Sequence, residues 1–324
     1  MIKVNSVNIK GWSRMGQRGT FFGVAMPEIA SIHENLKLLT ADLALLSGMT
    51  RFEKKYPDKF LNVGIAEQNM IGIAAGLAMS GDIVFATTYS SFIAVRSLEH
   101  IRQHMSHMKC NVKIIGSAAG VAAAKSGVSH WATEDLAFMR VLPNMLVLSP
   151  ADSLEAVKVA QYAAEYNGPV YIRLSGGLDC PTVYEEDYSF EPGRICEMKR
   201  GNDVAIIATG LMVSESIEAA KILKDKGIEC AVYNMNTIKP IDRSGLKTIF
   251  EEYHLIVTVE EHNILGGMGS AVAEYKAGFE KSPRQVFIGF QDAFTEAGTQ
   301  RYVWEQAGLT AEQIADTVYK ETGH

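Results

Sequence analysis

A chain of 324 residues, 47% of them hydrophobic and 21% charged, carries enough apolar material for more than one core and is expected to divide into two domains. A formal net charge of -6, without a long run of Lys and Arg, offers no electrostatic footprint for nucleic acid. No stretch reaches the roughly 20 uninterrupted apolar residues of a membrane span, no cleavable leader is recognised, and Cys110, Cys180, Cys196 and Cys230 lack the spacing of a zinc site or disulfide framework. The expectation is a cytoplasmic protein with reduced thiols that engages neither nucleic acid nor membrane.

In chain order, β-rich runs alternate with amphipathic ones. Strands are expected over 36–39, 83–87, 112–115, 145–149 and 170–174, and helices over 67–79, 92–105, 133–141 and 152–166. Gly, Pro and acidic residues then dominate between 176 and 202, the composition of a surface-crossing linker. The alternation restarts with strands over 204–209, 229–234 and 255–260 and helices over 214–226 and 244–253. This is the pattern of an α/β protein with two domains, each a mainly parallel sheet flanked by helices. The boundaries are placed at 1–180, with a linker over 181–200 and a second domain over 201–324.

The segment Asn62-Val63-Gly64-Ile65-Ala66-Glu67-Gln68-Asn69-Met70 sets a carboxylate where a loop gives way to a helix rich in Ala and Gly. A Glu in a first helical turn is also simply what the helix dipole favours. The following Ile71-Gly72-Ile73-Ala74-Ala75-Gly76 is small and apolar all round, so the helix is expected to be buried against close neighbours. A carboxyl buried there can hold a proton or donate it to a basic nitrogen.

Ile65-Ala66-Glu67-Gln68-Asn69-Met70, with Leu39-Thr40-Ala41-Asp42 upstream and Tyr89-Ser90-Ser91-Phe92 downstream, resembles the pyrimidine-binding domain of transketolases. The likeness runs over nearly the whole chain, through Glu134-Asp135-Leu136-Ala137-Phe138-Met139-Arg140, Pro143-Asn144, Thr237-Ile238-Lys239-Pro240-Ile241-Asp242, and Val259-Glu260-Glu261-His262 followed by Gly266-Gly267-Met268-Gly269. It implies transfer of a two-carbon ketol unit from a ketose donor to an aldose-type acceptor, with thiamine diphosphate carrying the carbon chemistry. It further implies that Glu67 bonds a ring nitrogen of the cofactor's aminopyrimidine and drives its imino tautomer. Phe92 would stack on that ring with Tyr89 beside it, an arrangement favourable by about 0.5–1.5 kcal/mol beyond burial. Asp42 would lie near the cofactor and the subunit contact, and His130, in Gly127-Val128-Ser129-His130-Trp131, would reach substrate and cofactor as a proton carrier. Arg18 and Ser126 fall at further substrate-facing positions. The glycine cluster at 266–269 is expected to be a close-packed turn rather than a phosphate cradle.

The Gly-Asp-Gly motif that holds the cation bridging the diphosphate in this superfamily does not occur; Asp82, in Gly81-Asp82-Ile83, lacks the second glycine. The resemblance therefore implies that the diphosphate and its Mg2+ or Ca2+ are held mainly by a separate N-terminal transketolase subunit, two copies of each chain making the active unit, with no metal ligand on this chain. Positions used for the sugar phosphate have drifted: Leu46 stands for a serine, Ala118 for a histidine, Ser126 for an aspartate and Gly176 for an arginine. Loss of the arginine fork and of hydroxyl partners points to a modified or carrier-linked sugar. Two further enzymes share the Glu67 segment, the β subunit of 2-oxoacid dehydrogenases and deoxyxylulose-phosphate synthase, and a non-catalytic regulatory subunit is the alternative from another class.

Overall fold

The computed structural model describes residues 2–323. In chain order the strands are β1 (Leu36–Thr40), β2 (Phe60–Asn62), β3 (Ile83–Tyr89), β4 (Val112–Ser117), β5 (Leu146–Leu148), β6 (Val170–Leu174), β7 (Cys196–Lys199), β8 (Val204–Ala208), β9 (Cys230–Asn234), β10 (Thr237–Lys239), β11 (Leu255–Asn263) and β12 (Arg284–Phe290). They form a seven-stranded sheet in the order β10-β5-β6-β4-β3-β1-β2 and a five-stranded sheet in the order β12-β11-β8-β9-β7. All neighbours are parallel except at two edges, where β10 runs against β5 and β7 against β9. The central strands β4, β6 and β8 are buried at every residue; β8 reads accordingly as a continuous apolar run, and β4 and β6 each carry one buried cation, Lys113 and Arg173, in an otherwise mostly apolar stretch. The chain is thus two α/β domains, each a mainly parallel sheet with helices.

The structure adds to the expected elements and alters some of them. A helix, Ser6–Thr20, capped by the Asn5 side chain on Asn8 N, precedes a wide-turn segment Phe21–Ala25 and a helix Met26–Ile32, where the sequence suggested no element. Gly16 kinks the first helix at φ 71°, and its bare α-carbon lets the Gly177 carbonyl come in: a Cβ there would sit 1.9 Å from that oxygen. The single helix expected over 92–105 is instead three short pieces, Phe92–Arg96, Leu98–His100 and Ile101–His107, the first and last wound as π-helix. Such wide turns are common at functional sites. Within the expected linker, Cys196–Lys199 forms β7, and β10 joins the first sheet although it lies beyond residue 201.

The helix Glu67–Met79 begins at the residue expected, but it is not buried all round. Met70, Ile71, Ala74 and Ala75 pack inward, whereas Gly72 and Gly76 face outward and Met79 is 68% exposed. Leu45, Leu46, Leu61 and Ile65 are also exposed near its start. The two domains are joined by a buried carboxylate, Glu155, which accepts from Ala151 N, from the Asn234 and Asn236 amides of the second domain, and from the Tyr184 and Tyr188 hydroxyls of the connecting segment. Among the described residues no helix is long and apolar enough to cross a membrane.

Candidate active site

The candidate residues gather at the carboxyl ends of the parallel strands, the edge where open α/β sheets bind ligands. Asp42 follows β1, Glu67 follows β2, Phe92 follows β3, Ala118 follows β4 and Gly176 follows β6. Glu67, 3% exposed, opens its helix without a side-chain cap at Ala66. Its Oε1 accepts from Arg96 Nη1 at 2.7 Å. The same guanidinium lies over the Phe92 ring, 4.3 Å from the centroid, and Gln68 Nε2 holds the Arg96 carbonyl at 3.0 Å. A flat, nitrogen-bearing cation therefore rests on the aromatic face while bonded to the buried carboxylate. Arg96 is the member of this trio that the sequence did not suggest. It lies four residues after Phe92, a spacing that only a helical geometry from Phe92 onward makes meaningful.

Tyr89, Phe92 and His130 meet edge to face: 5.6 Å between Tyr89 and Phe92, 5.3 Å between Tyr89 and His130, and 5.2 Å between Phe92 and His130. The His130 ring is further paired with Ser129, Oγ to Nδ1 at 3.0 Å. Beneath the aromatic group lies a buried polar network that the sequence did not suggest. Asp135 accepts from Ser90 Oγ (2.9 Å), Tyr171 OH (2.5 Å) and Arg173 Nε (3.0 Å), and both Asp135 and Arg173 are 1% exposed. Burial works to raise the Asp135 pKa, but Arg173, His262 and the hydrogen bonds from Tyr171 and Arg173 outweigh it and hold the carboxyl below its ordinary range. Ser90 adjoins Tyr89, so the network anchors the platform from behind.

The other expected residues are placed as follows. Asp42 is exposed, in the left-handed region at φ 60°, and pairs reciprocally with Asn62: its N–H donates to Asn62 Oδ1 at 3.1 Å and Asn62 Nδ2 donates to Asp42 Oδ1 at 3.3 Å. A strained, exposed carboxylate at this edge is the kind of feature found at functional sites. Arg18 lies near Tyr89; burial pulls the guanidinium below its ordinary pKa, and the neighbouring Tyr89 works against that pull. Among the described residues neither the Arg18 nor the Ser126 side chain has a hydrogen-bond or ion-pair partner. Ser126 is exposed on a short turn, Ala124–Ser126.

Gly176 is buried and filled around. A Cβ there would meet Cys180 Sγ at 2.7 Å and Gln17 Cγ at 2.9 Å. Gln17 takes the space, its Oε1 accepting from Ser175 N and Gly176 N and its Nε2 donating to Pro150 O. The turn at 266–269 is likewise occupied. Met268 N and Gly269 N donate to the Glu260 carboxylate, and His262, fully buried, accepts from Ala137 N and contacts the Asn263 carbonyl. Those donors are committed inside the fold, which makes the cluster a packed turn. Among the described residues no group of three His, Cys, Asp or Glu side chains is placed to hold a metal ion.

A family model described as the transketolase pyrimidine-binding domain matches residues 17–178, and one described as the transketolase C-terminal domain matches residues 193–314. The chain belongs to the transketolase family. These two domains make it the C-terminal section of a split transketolase. A solved structure described as a split gene transketolase, inactive beta4 tetramer, is 42% identical with a TM-score of 0.85, covering 94% of this transketolase chain and 97% of that one. The 6-deoxy-6-sulfo-D-fructose transketolase subunit SqwH of Clostridium sp. is 36% identical over 298 residues, 91% of each chain. An apulose-4-phosphate transketolase subunit of Actinobacillus succinogenes is 34% identical over 279 residues, 86% of this chain and 89% of that one.

Proposed function

We propose that this chain is the cofactor-activating half of a split transketolase, transferring a two-carbon ketol unit from a ketose to an aldose-type acceptor once joined to a separate N-terminal subunit. The observation that carries the proposal is Arg96: a planar, nitrogen-bearing group bonded to Glu67 while lying on Phe92 marks a seat suited to an aminopyrimidine ring. Thiamine diphosphate, when bound, supplies the carbon centre at which the ketol bond is cleaved and re-formed. Glu67 holds a ring nitrogen, Phe92 provides the stacking face, and Tyr89 borders it. Arg96 would give up both contacts to an entering ring, leaving the Glu67 carboxyl to hold the ring nitrogen. His130, set against both aromatic rings and bonded to Ser129, is placed to move a proton at a substrate oxygen. Asp42 borders the cofactor from the partner-facing edge.

The exposed apolar residues Leu45, Leu46, Leu61 and Ile65 support a partner covering this edge. The 42% identical structure is described as an inactive tetramer of one chain type, and the two relatives are named as subunits, which favours the same division here. The diphosphate and its Mg2+ or Ca2+ are assigned to the partner's Gly-Asp-Gly motif, in an assembly of two copies of each chain acting in the cytoplasm. Residues 1–180 form the pyrimidine-binding unit, 181–200 the linker and 201–324 the C-terminal domain on this reading.

A non-standard sugar is the proposed substrate. Gln17 fills the place of a clamping arginine at Gly176, and Ala118 and the exposed Ser126 offer few hydroxyl partners, while Arg18 keeps a free cation near Tyr89 for one anionic group. The relatives named for a sulfonated sugar and for apulose 4-phosphate show how varied the anionic end is within this group. The test is a donor and acceptor panel offered to the reconstituted pair. Preferred turnover of a modified sugar supports the proposal, and equal turnover of xylulose 5-phosphate and ribose 5-phosphate at full rate refutes the substrate part. Decarboxylation of pyruvate in place of ketol transfer refutes the reaction.

A further inference from the structure

Glu261 belongs to β11 of the second domain, and its carboxylate is shared between two side chains of that domain and the backbone of the first. It is 1% exposed, and its Oε1 accepts from Trp304 Nε1 at 2.7 Å, Gln300 Nε2 at 3.1 Å and the Val121 backbone N–H at 3.2 Å. Its Oε2 is buried without a hydrogen-bond partner and lies against Gly120, where a Cβ would come within 2.1 Å of it. Gly120 stands at φ +61°, so glycine answers both the strain and the close approach. The Glu261 carbonyl accepts from Arg173 Nη2 at 2.8 Å, and the same nitrogen donates to the Ala132 carbonyl at 3.1 Å.

The contacts with Gly120, Val121 and Ala132 fall on the neck of one loop of the first domain. Gly120 and Ala132 exchange two backbone hydrogen bonds, 3.1 and 2.8 Å, and so close residues 121–131 into a ring braced inside by Trp131 Nε1 on the Ala124 carbonyl at 3.2 Å. That loop carries Ser126 and His130. Burial pushes the Glu261 carboxyl above its ordinary range, against the pull of Arg173 and the three donors. An acid held in this way, with one oxygen unsatisfied, is costly for domain adhesion alone, which an apolar contact would supply without that cost.

We infer that Glu261 is a positioning residue of the transfer reaction, gripping Gly120 and Val121 so that the loop sets His130 against Tyr89 and Phe92. The inference rests on the transketolase reading of that site and makes the second domain part of substrate recognition. Loss of the grip lets the loop open locally, and because His130 rides on it, substrate KM and kcat both suffer while the pyrimidine seat on Glu67 and Phe92 stays formed.

The experiment has two arms that fail separately. In the chain alone, hydrogen exchange is followed for amides 119–133 in wild type, Glu261→Gln, Glu261→Ala and the milder Trp304→Phe, which keeps the carboxylate and removes its shortest bond. Glu261→Ala is expected to speed exchange at Val121 and Ala132 about tenfold, the loss of a charge-assisted hydrogen bond of roughly 1.4 kcal/mol. Trp304→Phe should move it in the same direction by less, and remains informative where Glu261→Ala fails to fold. Unchanged exchange in Trp304→Phe and in any folded Glu261→Ala overturns the grip. In the reconstituted pair, Glu261→Ala is expected to raise substrate KM and lower kcat about tenfold each at unaltered thiamine diphosphate affinity, with Glu261→Gln restoring most of both because its Oε1 still accepts. Faster loop exchange with wild-type KM and kcat overturns the positioning role. A wild-type pair that transfers no ketol unit overturns the functional reading and the positioning role together, leaving the grip to be judged by exchange.

Discussion

Arg96→Ala separates an occupant of the pyrimidine seat from a ligand of the cofactor. The substitution removes a 2.7 Å charge-assisted hydrogen bond to a carboxylate that is 4% exposed, and a cation lying 4.3 Å from the Phe92 centroid. Such a hydrogen bond is worth about 1.5–3 kcal/mol, and a cation on an aromatic face at an open site about 0.5–1 kcal/mol. Arg96 is 45% exposed, so solvent screens both and the lower ends apply, together about 2 kcal/mol. The chain alone should lose that stability, seen as a fall in Tm of about 3 °C by calorimetry. If the cofactor ring takes over both contacts, the wild type spends the same free energy displacing Arg96, so the variant pair should bind thiamine diphosphate more tightly, by up to about thirtyfold at 1.4 kcal/mol per factor of ten. Isothermal titration of the reconstituted pair reads this directly. Arg96→Lys, which keeps charge but loses the flat fork, should fall between the two. Weaker cofactor binding in Arg96→Ala refutes the reasoning and makes Arg96 a ligand.

Three other outcomes follow from the same geometry. Glu67→Ala should lower kcat of the pair about a hundredfold to ten-thousandfold, the usual worth of a positioned proton-transfer group, with unchanged circular dichroism; wild-type turnover would remove Glu67 from the chemistry. Asp135→Asn breaks a buried ion pair and should cost about 3–5 kcal/mol in urea unfolding. Because the Asp135 pKa is held below its ordinary value, the stability it lends is present above the ordinary carboxylate range and is lost as pH falls toward the folded-state value; the variant's deficit should therefore shrink in acid, and a deficit that grows there contradicts the assignment. Gly176→Arg must push aside Gln17 and Cys180, so it should lose about 1–3 kcal/mol of stability without improving turnover of pentose phosphates. A tenfold gain in their kcat/KM would show that the arginine position is open after all.

Local patterns carried much of the fold because they report local burial. The helix beginning at Glu67 was legible since the apolar, small-residue run starts there, and the strand runs 112–115 and 170–174 were legible because both faces of β4 and β6 are covered. The helix Ser6–Thr20 was not, because Gly11, Gly16 and Gly19 dilute its periodicity; its amphipathic face and the Asn5 cap were the available signals. The placement of β10 on the first sheet could not be read locally, since it depends on pairing with β5 about ninety residues away. Within the site, Glu67, Tyr89, Phe92 and His130 stood out through the family likeness, and the structure brings the last three into one aromatic cluster. Arg96 and Arg173 escaped notice because their partners lie far along the chain and a lone charged residue carries no pattern, while Glu261 sat in the recognised segment Val259 to His262 with its contact to Gly120 and Val121 visible only in the fold. Asp135 sat inside a recognised motif, Glu134 to Arg140, whose purpose became visible only with Arg173 and Tyr171 packed against it.

The measurement that bears most directly on the split-site claim is a thiamine diphosphate titration, in the presence of Mg2+, of this chain alone, of an N-terminal transketolase subunit alone, and of the two mixed. Tight, saturable binding is expected only in the mixture, markedly weakened when the mixture contains Glu67→Ala. Binding by this chain alone as tight as by the mixture would contradict the split site.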